Sequence, residues 1–456
     1  MHNLRSIGVT RLFGRYNYKL PASTELLDDV NILYGDNGAG KTTVLNLVFH
    51  MLSPADNAGH RTRISEVPFL QLDVALHDGT KLSAKKDPQL LVGPVEFRIA
   101  PPNAKPIVWR FTPGSSPSFG LGDLPTSIDL ERLPTEMRQQ VSRALEQRRY
   151  FEELRKLGVT VFMLTSDRIL LGDSVRETLR ADPRPDNPRA RARLADIVLE
   201  HRVAAVSEAL NAASVWVRSK FLEKSYGPNE SSANLYLDVA RKIARSTYRT
   251  KTGLNPTQEA KTIATLTQSI SDLDKRAAEF HRFGLSVSSA STELLAIVQA
   301  SKGNRLQLIG TILEPHLASV KARYDSLQPL YALVNTFVSI LNKFLKDKQI
   351  QYSVRGGFRI VSAAPSGQTQ EISPAQLSSG EQQLLLLFCH VLTTRDNPNI
   401  FIIDEPELSL NIVWQRMLVA SILEVAKGSR LQLVLASHSM EIIAKHRDRV
   451  VSMQET

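Results

Sequence analysis

The chain has 456 residues, of which 42% are hydrophobic and 22% are charged. This composition is typical of a globular protein and argues against a fibre, a largely disordered chain or a membrane protein. At about 150 residues per domain, the length allows two or three lobes. Lysine and arginine number 56 against 46 acidic residues, and the net charge of +10 suits a nucleic-acid partner, an acidic protein partner or an enzyme with a basic surface.

The apolar and cysteine content bears on location. The longest apolar run, 384–392, is far shorter than the ~20 residues that span a bilayer, so we expect no membrane segment. The first residues lack the apolar core of a secretory signal. The single cysteine, Cys389, excludes an internal disulfide and a thiolate metal cluster. We therefore expect a cytoplasmic protein.

The first part of the chain shows strand signals. An apolar, β-prone run at 30–34 precedes a glycine-rich turn and a helical pattern. Alternation over 69–76, followed by a turn and a second strand from Lys81, predicts a hairpin. Prolines between 88 and 125 disfavour a helix and leave short edge strands at 95–99 and 107–111.

Helical patterns dominate the middle of the chain. Residues 131–156 are charged and helix-prone, 159–164 predicts a buried strand, and helices follow over 174–348. Two stretches carry heptad spacing, which fits either a coiled-coil hairpin or a compact helical bundle. Their repeat positions are Ile263, Leu266, Ile270, Leu273, Ala277 and Phe280, then Leu313, Leu317, Val320, Tyr324, Leu327, Tyr331, Val334, Val338, Leu341 and Leu345. Pro329 lies inside the second stretch and is expected to kink or break it.

Strand signals return after Gln351. A Gly-Gly turn within 351–361 predicts a hairpin, and a helix is expected from about Gly380. The remaining segments alternate between strand and helix, which predicts a mostly parallel sheet and an α/β fold. They are a strand at 400–403, a helix at 413–426 and a strand at 431–436.

Residues 35–42 match GxxxxGK[ST] in full, between a strand and a helix. Glycines let successive backbone N–H groups surround phosphate oxygens, and the helix N-terminus adds positive charge. Lys41 is expected to reach the β- and γ-phosphates of ATP, and the Thr42 hydroxyl to bind Mg²⁺. The candidate nucleotide-binding residues here are Gly35, Asn37, Gly38, Ala39, Gly40, Lys41, Thr42 and Thr43.

Residues 400–405 are four apolar residues followed by two carboxylates. Asp404 would emerge at the carboxyl end of a buried strand, where open α/β sheets bind ligands, and would hold Mg²⁺ through water. Glu405 would polarise the water that attacks the γ-phosphate. The alternative is an ordinary strand that ends in an acidic turn.

Two further segments could face phosphate. Ser378, Ser379, Gly380 and Glu381 open a helix, and this turn is either an anion-binding N-terminus or a plain helix cap. His438 follows an apolar strand, where a γ-phosphate sensor would be placed. A histidine at the end of a strand is otherwise incidental.

The order of these motifs resembles the ABC-type ATPase heads of the SMC, Rad50, RecF and overcoming-lysogenization-defect (OLD) group. The resemblance implies an ABC-type P-loop head that is split by an α-helical insertion, either a bundle or a short coiled coil. It places lobe I at 1–128, the insertion at 129–350 with a lobe I strand at 159–164, and lobe II at 351–456.

The resemblance also implies a paired site. Ser378 and Gly380 would contact the γ-phosphate held by a second protomer, so that two heads enclose two ATP molecules in a homo-oligomer. His438 would be the switch histidine, and 409–411 the D-loop. One departure is that no glutamine follows the strand 159–164, and Gln71 fits that role poorly because it lies within the predicted hairpin.

Segments 12–18 and 34–38 are similar to stand-alone ATPases of bacterial anti-phage systems, such as PARIS, with those of Septu and Gabija as neighbours. Too short a segment follows His438 for a Toprim nuclease. The resemblance therefore implies a separate nuclease effector that the ATPase holds or releases, and a phage protein as trigger. The alternatives are a RecF- or Rad50-like repair ATPase acting directly on DNA, and a non-catalytic nucleotide-gated scaffold.

A basic helical face is expected in the middle of the chain, and it would bind DNA or an acidic partner, or would face only solvent. It comprises Lys220, Lys224, Arg241, Lys242, Arg245, Arg249 and Lys251.

Overall fold

The computed structural model describes residues 3–22, 27–56, 59–114, 135–165, 170–172, 188–225, 255–285, 291–363, 369–396, 399–408 and 410–453. The chain divides into two compact units. The terminal unit is Met1–Val203 with Ser378–Thr456, and the central unit is Ala204–Leu377. No helix in the described part of the chain combines the length and apolar character needed to cross a bilayer.

The strands are β1 (Leu4–Leu12), β2 (Tyr16–Leu20), β3 (Val30–Tyr34), β4 (Gln71–Leu76), β5 (Lys81–Lys85), β6 (Val95–Ala100), β7 (Ile107–Phe111), β8 (Thr160–Leu164), β9 (Leu170–Gly172), β10 (Lys348–Ser353), β11 (Gly357–Ala363), β12 (Thr369–Glu371), β13 (Asn399–Asp404), β14 (Leu431–Ala436) and β15 (Val450–Ser452). The α-helices are α1 (Lys41–Leu52), α2 (His60–Glu66), α3 (Thr135–Lys156), α4 (Pro188–Ser225), α5 (Pro256–His281), α6 (Ser291–Gln299), α7 (Gly303–Phe344), α8 (Ser379–Thr393), α9 (Ile412–Ala426) and α10 (Met440–Lys445).

One sheet of the terminal unit is antiparallel, in the order β2-β1-β4-β5-β6-β7. The predicted β4–β5 hairpin is confirmed, and its alternating residues Leu72, Val74 and Leu82 are buried. Strand β7 lies at the edge, as predicted. Strand β6 is interior rather than an edge strand, because β5 and β7 pair with its two sides.

The other sheet of the terminal unit has the order β15-β3-β14-β13-β8-β9, and only the β8–β9 pair in it is antiparallel among the described strands. Residues 400–403 are fully buried, as expected for a central parallel strand covered on both faces. In register, Asp404 lies beside Ala436 and Ala436 beside Leu33. The carboxyl ends of β3, β13 and β14 therefore meet at one edge.

The central unit is built from helices and a small antiparallel sheet, β10-β11-β12. Helix α5 packs against both α6 and α7, which fits the bundle alternative. Most of the heptad positions are buried, among them Leu266, Ile270, Leu313 and Leu327. The β10–β11 hairpin confirms the Gly-Gly turn.

Helix α7 continues through Pro315 and Pro329, so of the two outcomes predicted at Pro329, a kink or a break, the break is wrong. Proline removes the N–H that would bond to Asp325. Leu327 and Leu330 on either side of Pro329 are buried, and the burial of this apolar face offsets the lost hydrogen bond.

The compact units differ from the expected boundaries at 128/129 and 350/351. The predicted helix at 131–156 is α3, but it belongs to the terminal unit, because Tyr150 and Phe151 pack against Trp109 of β7. Strand β10 packs against α7, so residues 351–377 belong to the central unit.

Candidate functional site

The turn between β3 and α1 forms an anion cradle. Gly38 and Gly40 have φ values of 84° and 86°, and α1 begins without a side-chain cap. The first N–H groups of α1 are therefore free of a side-chain cap and face the turn, where the positive end of the helix dipole also lies. A Cβ at Gly40 would lie 2.9 Å from Cδ2 of Leu12 and force that side chain to shift, and the positive φ value also favours glycine there. The other predicted residues of this segment lie in the same turn or the first turn of α1: Gly35, Asn37, Ala39 and Thr43.

The Lys41 side chain folds back over this turn. Its Nζ donates hydrogen bonds to the carbonyl oxygens of Gly35 at 2.8 Å and Asp36 at 3.0 Å. Burial lowers the pKa of Lys41, while the carboxylates of Glu405 and Asp404 act in the opposite direction. A cation held by neutral carbonyls in a phosphate cradle is well placed to exchange them for phosphate oxygens.

Asp404 lies at the end of β13, where its Oδ1 accepts a hydrogen bond of 3.0 Å from the Thr42 hydroxyl. Its Oδ2 is buried and has no hydrogen-bond partner within the described part of the chain. Burial raises the pKa of Asp404 to about 6; the hydrogen bond from Thr42 opposes this, and the nearby Glu405 carboxylate adds to it. An unpartnered buried carboxylate oxygen beside a hydroxyl is a suitable pair of ligands for a hard cation such as Mg²⁺.

Glu405 follows at once in the left-handed region, with φ of 49°. Its backbone N–H donates to the carbonyl oxygen of Ala436 at 2.9 Å, which continues the contact between β13 and β14. One side-chain oxygen lies 3.8 Å from Nε2 of His438, and both side chains are partly exposed. The structure therefore brings together Lys41, Thr42, Asp404, Glu405 and His438 at one sheet edge.

Sequence patterns assigned no role to Glu407, which organises the loop that carries His438. Its Oε1 accepts hydrogen bonds from the Ser437 hydroxyl at 2.9 Å, the His438 N–H at 2.6 Å and the Ser439 N–H at 3.0 Å. The only sequence signal is a further carboxylate beyond Glu405. The spacing between Glu407 and the serines has no recognisable pattern.

The four candidate residues Ser378, Ser379, Gly380 and Glu381 start helix α8. Ser378 and Glu381 form a capping box, in which the Ser378 N–H donates to Oε2 of Glu381 at 2.6 Å and the Glu381 N–H donates to Oγ of Ser378 at 3.3 Å. Ser378 is exposed, and Gly380 and Glu381 are buried. This turn is thus a rigid, capped helix start with a solvent-facing serine.

Several sequence predictions fall wholly or partly outside the described residues. Ser409 of the expected D-loop lies outside them, and Asn411 caps α9 by accepting from the Trp414 N–H at 2.9 Å. Gln71 lies at the start of β4 and donates to the Asp73 carboxylate at 2.8 Å. Also outside the described residues lie Ser166, Asp167, Arg168, Arg241, Lys242, Arg245, Arg249 and Lys251.

Comparison with known families identifies the chain. A family model described as "AAA domain, putative AbiEii toxin, Type IV TA system" matches residues 170–444, more than half of the chain. The chain belongs to this AAA family. The matched range of this AAA protein contains the Ser378 turn, Asp404, Glu405 and His438.

Two curated proteins are similar to parts of this AAA protein. The dipeptide transport ATP-binding protein DppD of Haemophilus influenzae is 24% identical over 167 residues, which is 36% of this chain and 47% of that protein. The lipoprotein-releasing system ATP-binding protein LolD of Ruegeria pomeroyi is 33% identical over 82 residues, 18% of this chain and 34% of that protein. The chain thus spans less than half the length of either relative.

A solved structure of an Smc head domain with an extended coiled coil, bound to the C-terminal domain of ScpA and derived from Pyrococcus furiosus, aligns with a TM-score of 0.35 and 13% identity. The alignment covers 100% of this chain and 94% of that chain. The P-loop, the parallel sheet and the family match make this AAA protein a P-loop ATPase of the ABC and AAA type, with an α/β head that a helical insertion splits.

Proposed function

We propose that this chain binds Mg²⁺ and ATP and hydrolyses ATP to ADP and phosphate. The observation that carries the proposal is the hydrogen bond between Thr42 and Asp404, with the second Asp404 oxygen buried and unpartnered beside it. A hydroxyl and a carboxylate oxygen fit a Mg²⁺ ion that shares its remaining positions with phosphate and water. When bound, Mg²⁺ supplies electrostatic stabilisation of the phosphate charge.

The residues of the chain have distinct roles in this proposal. The N–H groups of the 35–40 turn and the Lys41 ammonium bind and orient the phosphates. Glu405 orients the attacking water and accepts its proton. His438 donates a hydrogen bond to the γ-phosphate from its place beside Glu405. In phosphoryl transfer, catalysis comes almost entirely from positioning the reacting groups and from electrostatic stabilisation of the phosphate charge.

Two variants test the assignment of binding and chemistry. Glu405→Gln is expected to keep ATP affinity and to lower turnover by at least 100-fold, measured by phosphate release. Lys41→Ala is expected to lower ATP affinity itself, measured by calorimetry. Unchanged turnover in Glu405→Gln would show that Glu405 is not the base, and would leave a nucleotide-gated scaffold as the better description.

We also propose that two copies enclose the nucleotide, with Ser378 and Gly380 of one copy facing the ATP of the other. The solvent-facing position of Ser378 supports this arrangement. Support also comes from exposed apolar side chains around the expected D-loop and the start of α10, namely Leu408, Ile412, Val413 and Met440. Such side chains gain free energy when a second surface covers them. In light scattering, the Glu405→Gln protein with ATP and Mg²⁺ is expected to have the mass of a dimer, or of a larger assembly with an even number of copies.

We propose a defence role, which rests on the family description, since it names an AbiEii toxin and a type IV toxin–antitoxin system. The resemblance to stand-alone anti-phage ATPases also supports it. In this proposal the ATPase holds a separate nuclease and releases it when a phage protein binds. Co-expression with a nuclease gene adjacent to this one is expected to yield a complex in nuclease-treated lysate. If the two proteins do not co-purify with or without ATP, this role is wrong.

A second candidate function, direct DNA binding, has its own support. Lys19, Lys81, Lys85 and Arg98 are exposed on the outer face of the antiparallel sheet, as register and alternation place them. Asp73 and Glu96 are acidic residues on the same face. Binding to a DNA duplex can be measured by fluorescence anisotropy at several salt concentrations. The logarithm of the affinity is expected to fall linearly with the logarithm of the salt concentration, and the double variant Lys81→Glu, Lys85→Glu is expected to show a shallower slope. Absence of binding at ~50 mM salt would remove this candidate.

A further inference from the structure

Glu407 joins two loops that are distant in sequence. One carboxylate oxygen, Oε1, accepts from three donors on the segment after β14: the Ser437 hydroxyl at 2.9 Å, the His438 N–H at 2.6 Å and the Ser439 N–H at 3.0 Å. Hydrogen bonds to an ionised oxygen are about twice as strong as neutral ones. Two of the three come from the backbone N–H groups of His438 and Ser439, and they fix the backbone on both sides of the His438 side chain.

The same connection is reinforced from α9. The Ser439 hydroxyl donates to Oε1 of Gln415 at 2.8 Å, and Nε2 of Gln415 donates to the carbonyl oxygen of Leu410 at 2.9 Å. The Leu410 N–H donates in turn to the carbonyl oxygen of Glu407 at 3.0 Å. The hydrogen bonds close a ring that runs from Glu407 through the His438 loop and α9 back to Glu407.

The other Glu407 oxygen, Oε2, is buried and accepts no hydrogen bond from the described residues. Burying one carboxylate oxygen without a donor is costly, because the lost hydration of that oxygen is not replaced by hydrogen bonds. For stability alone, an amide side chain would accept these hydrogen bonds without a charge. The arrangement instead places a carboxylate oxygen against the backbone N–H of His438.

We propose that Glu407 is a positioning residue for His438, which it holds with its imidazole beside Glu405. This inference rests on the proposed ATPase function. The direction of the His438 side chain follows from its backbone, and Nε2 lies 3.8 Å from Oε1 of Glu405 only while that backbone is fixed. A displacement of about 1 Å at a reacting centre lowers the rate by ~100-fold.

Steady-state ATP hydrolysis is the first test. Glu407→Ala is expected to lower kcat 10- to 100-fold with the KM for ATP within ~2-fold, because the phosphate cradle is untouched. Glu407→Gln keeps an oxygen acceptor without the charge and is expected to recover part of the loss. Glu424→Ala, on the exposed side of α9, is the matched control and is expected to leave kcat unchanged. An unchanged kcat in Glu407→Ala would overturn the proposal.

A double-mutant comparison separates positioning from general damage. In a His438→Gln background, Glu407→Ala is expected to lower kcat by no more than ~3-fold further, since both changes remove the same interaction. If the two losses multiply, Glu407 does not act through His438 and the inference is wrong.

Hydrogen exchange gives a readout that needs no turnover. In Glu407→Ala, peptides covering 437–442 are expected to exchange at least 10-fold faster, with peptides from α1 and β13 unchanged. Unaltered exchange at 437–442 would overturn the inference even in an active enzyme. If the unmodified protein hydrolyses no ATP, the proposed function fails, and the exchange result still decides whether Glu407 holds the His438 backbone.

Discussion

The Thr42 hydroxyl donates a hydrogen bond of 3.0 Å to the Asp404 carboxylate, across 362 positions of sequence. The bond connects the first turn of α1 to the carboxyl end of β13. Because α1 also packs on β13, the phosphate cradle and the acidic strand end form one rigid site. The arrangement keeps the Asp404 carboxylate buried, and burial of that charge lowers the stability of the folded protein.

Asp404→Asn is expected to stabilise the nucleotide-free protein and to abolish Mg²⁺-dependent activity. The folded-state pKa of Asp404 is raised to about 6 by burial, so the charged form at pH 7.5 opposes folding. Each pKa unit corresponds to about 1.4 kcal/mol, so removing the charge is expected to raise the free energy of unfolding by about 1 to 3 kcal/mol. Urea denaturation at pH 7.5 measures this change.

Asp448→Asn serves as the control for that experiment, because its carboxylate is largely exposed. It is expected to change the free energy of unfolding by less than ~0.5 kcal/mol. A lower stability in Asp404→Asn would contradict the interpretation, and would mean that the buried charge is better compensated than its unpartnered oxygen indicates.

Local patterns were sufficient to predict most elements around the site. The glycine turn, the apolar strand before Asp404 and the strand before His438 each carry their signal within a few residues. Parallel strands then place their carboxyl ends together, so the meeting of Lys41, Asp404 and His438 follows from strand order. The register of the parallel sheet gives this result directly.

Long-range contacts and packing explain what the patterns did not reveal. Glu407 contacts residues about 30 positions away, and no periodicity marks such a pair. Pro329 has a strong local preference against a helix interior, but buried neighbours outweigh it. The place of α3 in the terminal unit depends on aromatic packing between Tyr150 and Trp109, which no sequence motif marks.

Gly40→Ala is expected to abolish nucleotide binding and to destabilise the protein more than Gly38→Ala does. Both glycines have positive φ values, which cost an alanine about 1 kcal/mol. At Gly40 the added Cβ would also lie 2.9 Å from Leu12 and 3.2 Å from Phe13, whereas at Gly38 it meets nothing within 4 Å. Thermal denaturation of the two variants measures the difference, and equal losses would contradict the steric argument.

Acid is expected to destabilise the protein through two histidines, one near the end of α1 and one at the start of α2. His50 and His60 share a contact of 2.8 Å between their Nδ1 atoms. Burial, with the nearby Arg61, lowers the pKa of His50 to about 3 and that of His60 to about 4. Between pH 6.5 and pH 4 the unfolded chain therefore binds more protons than the folded one, and stability falls as the pH falls. The loss between pH 7.5 and pH 5 is about 2 to 4 kcal/mol for the pair.

His50→Asn tests the origin of that pH dependence, because asparagine keeps a polar partner for His60 but does not titrate. Between pH 7.5 and pH 5, the fall in its free energy of unfolding is expected to be about 2 kcal/mol smaller than in the unmodified protein. His281→Asn, at an exposed position of α5, is the control and is expected to leave the slope unchanged. Equal slopes in all three proteins would assign the acid sensitivity to other groups.

Ser378→Asp separates the helix cap from the proposed contact with a partner's nucleotide. Aspartate caps helices as well as serine, so the capping box with Glu381 and the thermal stability are expected to persist. A negative charge facing the γ-phosphate of a second copy would repel it, and turnover is expected to fall more than 10-fold. Asn255→Asp makes the same kind of change at the cap of α5 and is expected to leave turnover unaffected. Full activity in Ser378→Asp, with stability retained, would mean that this turn caps its own helix and faces no phosphate.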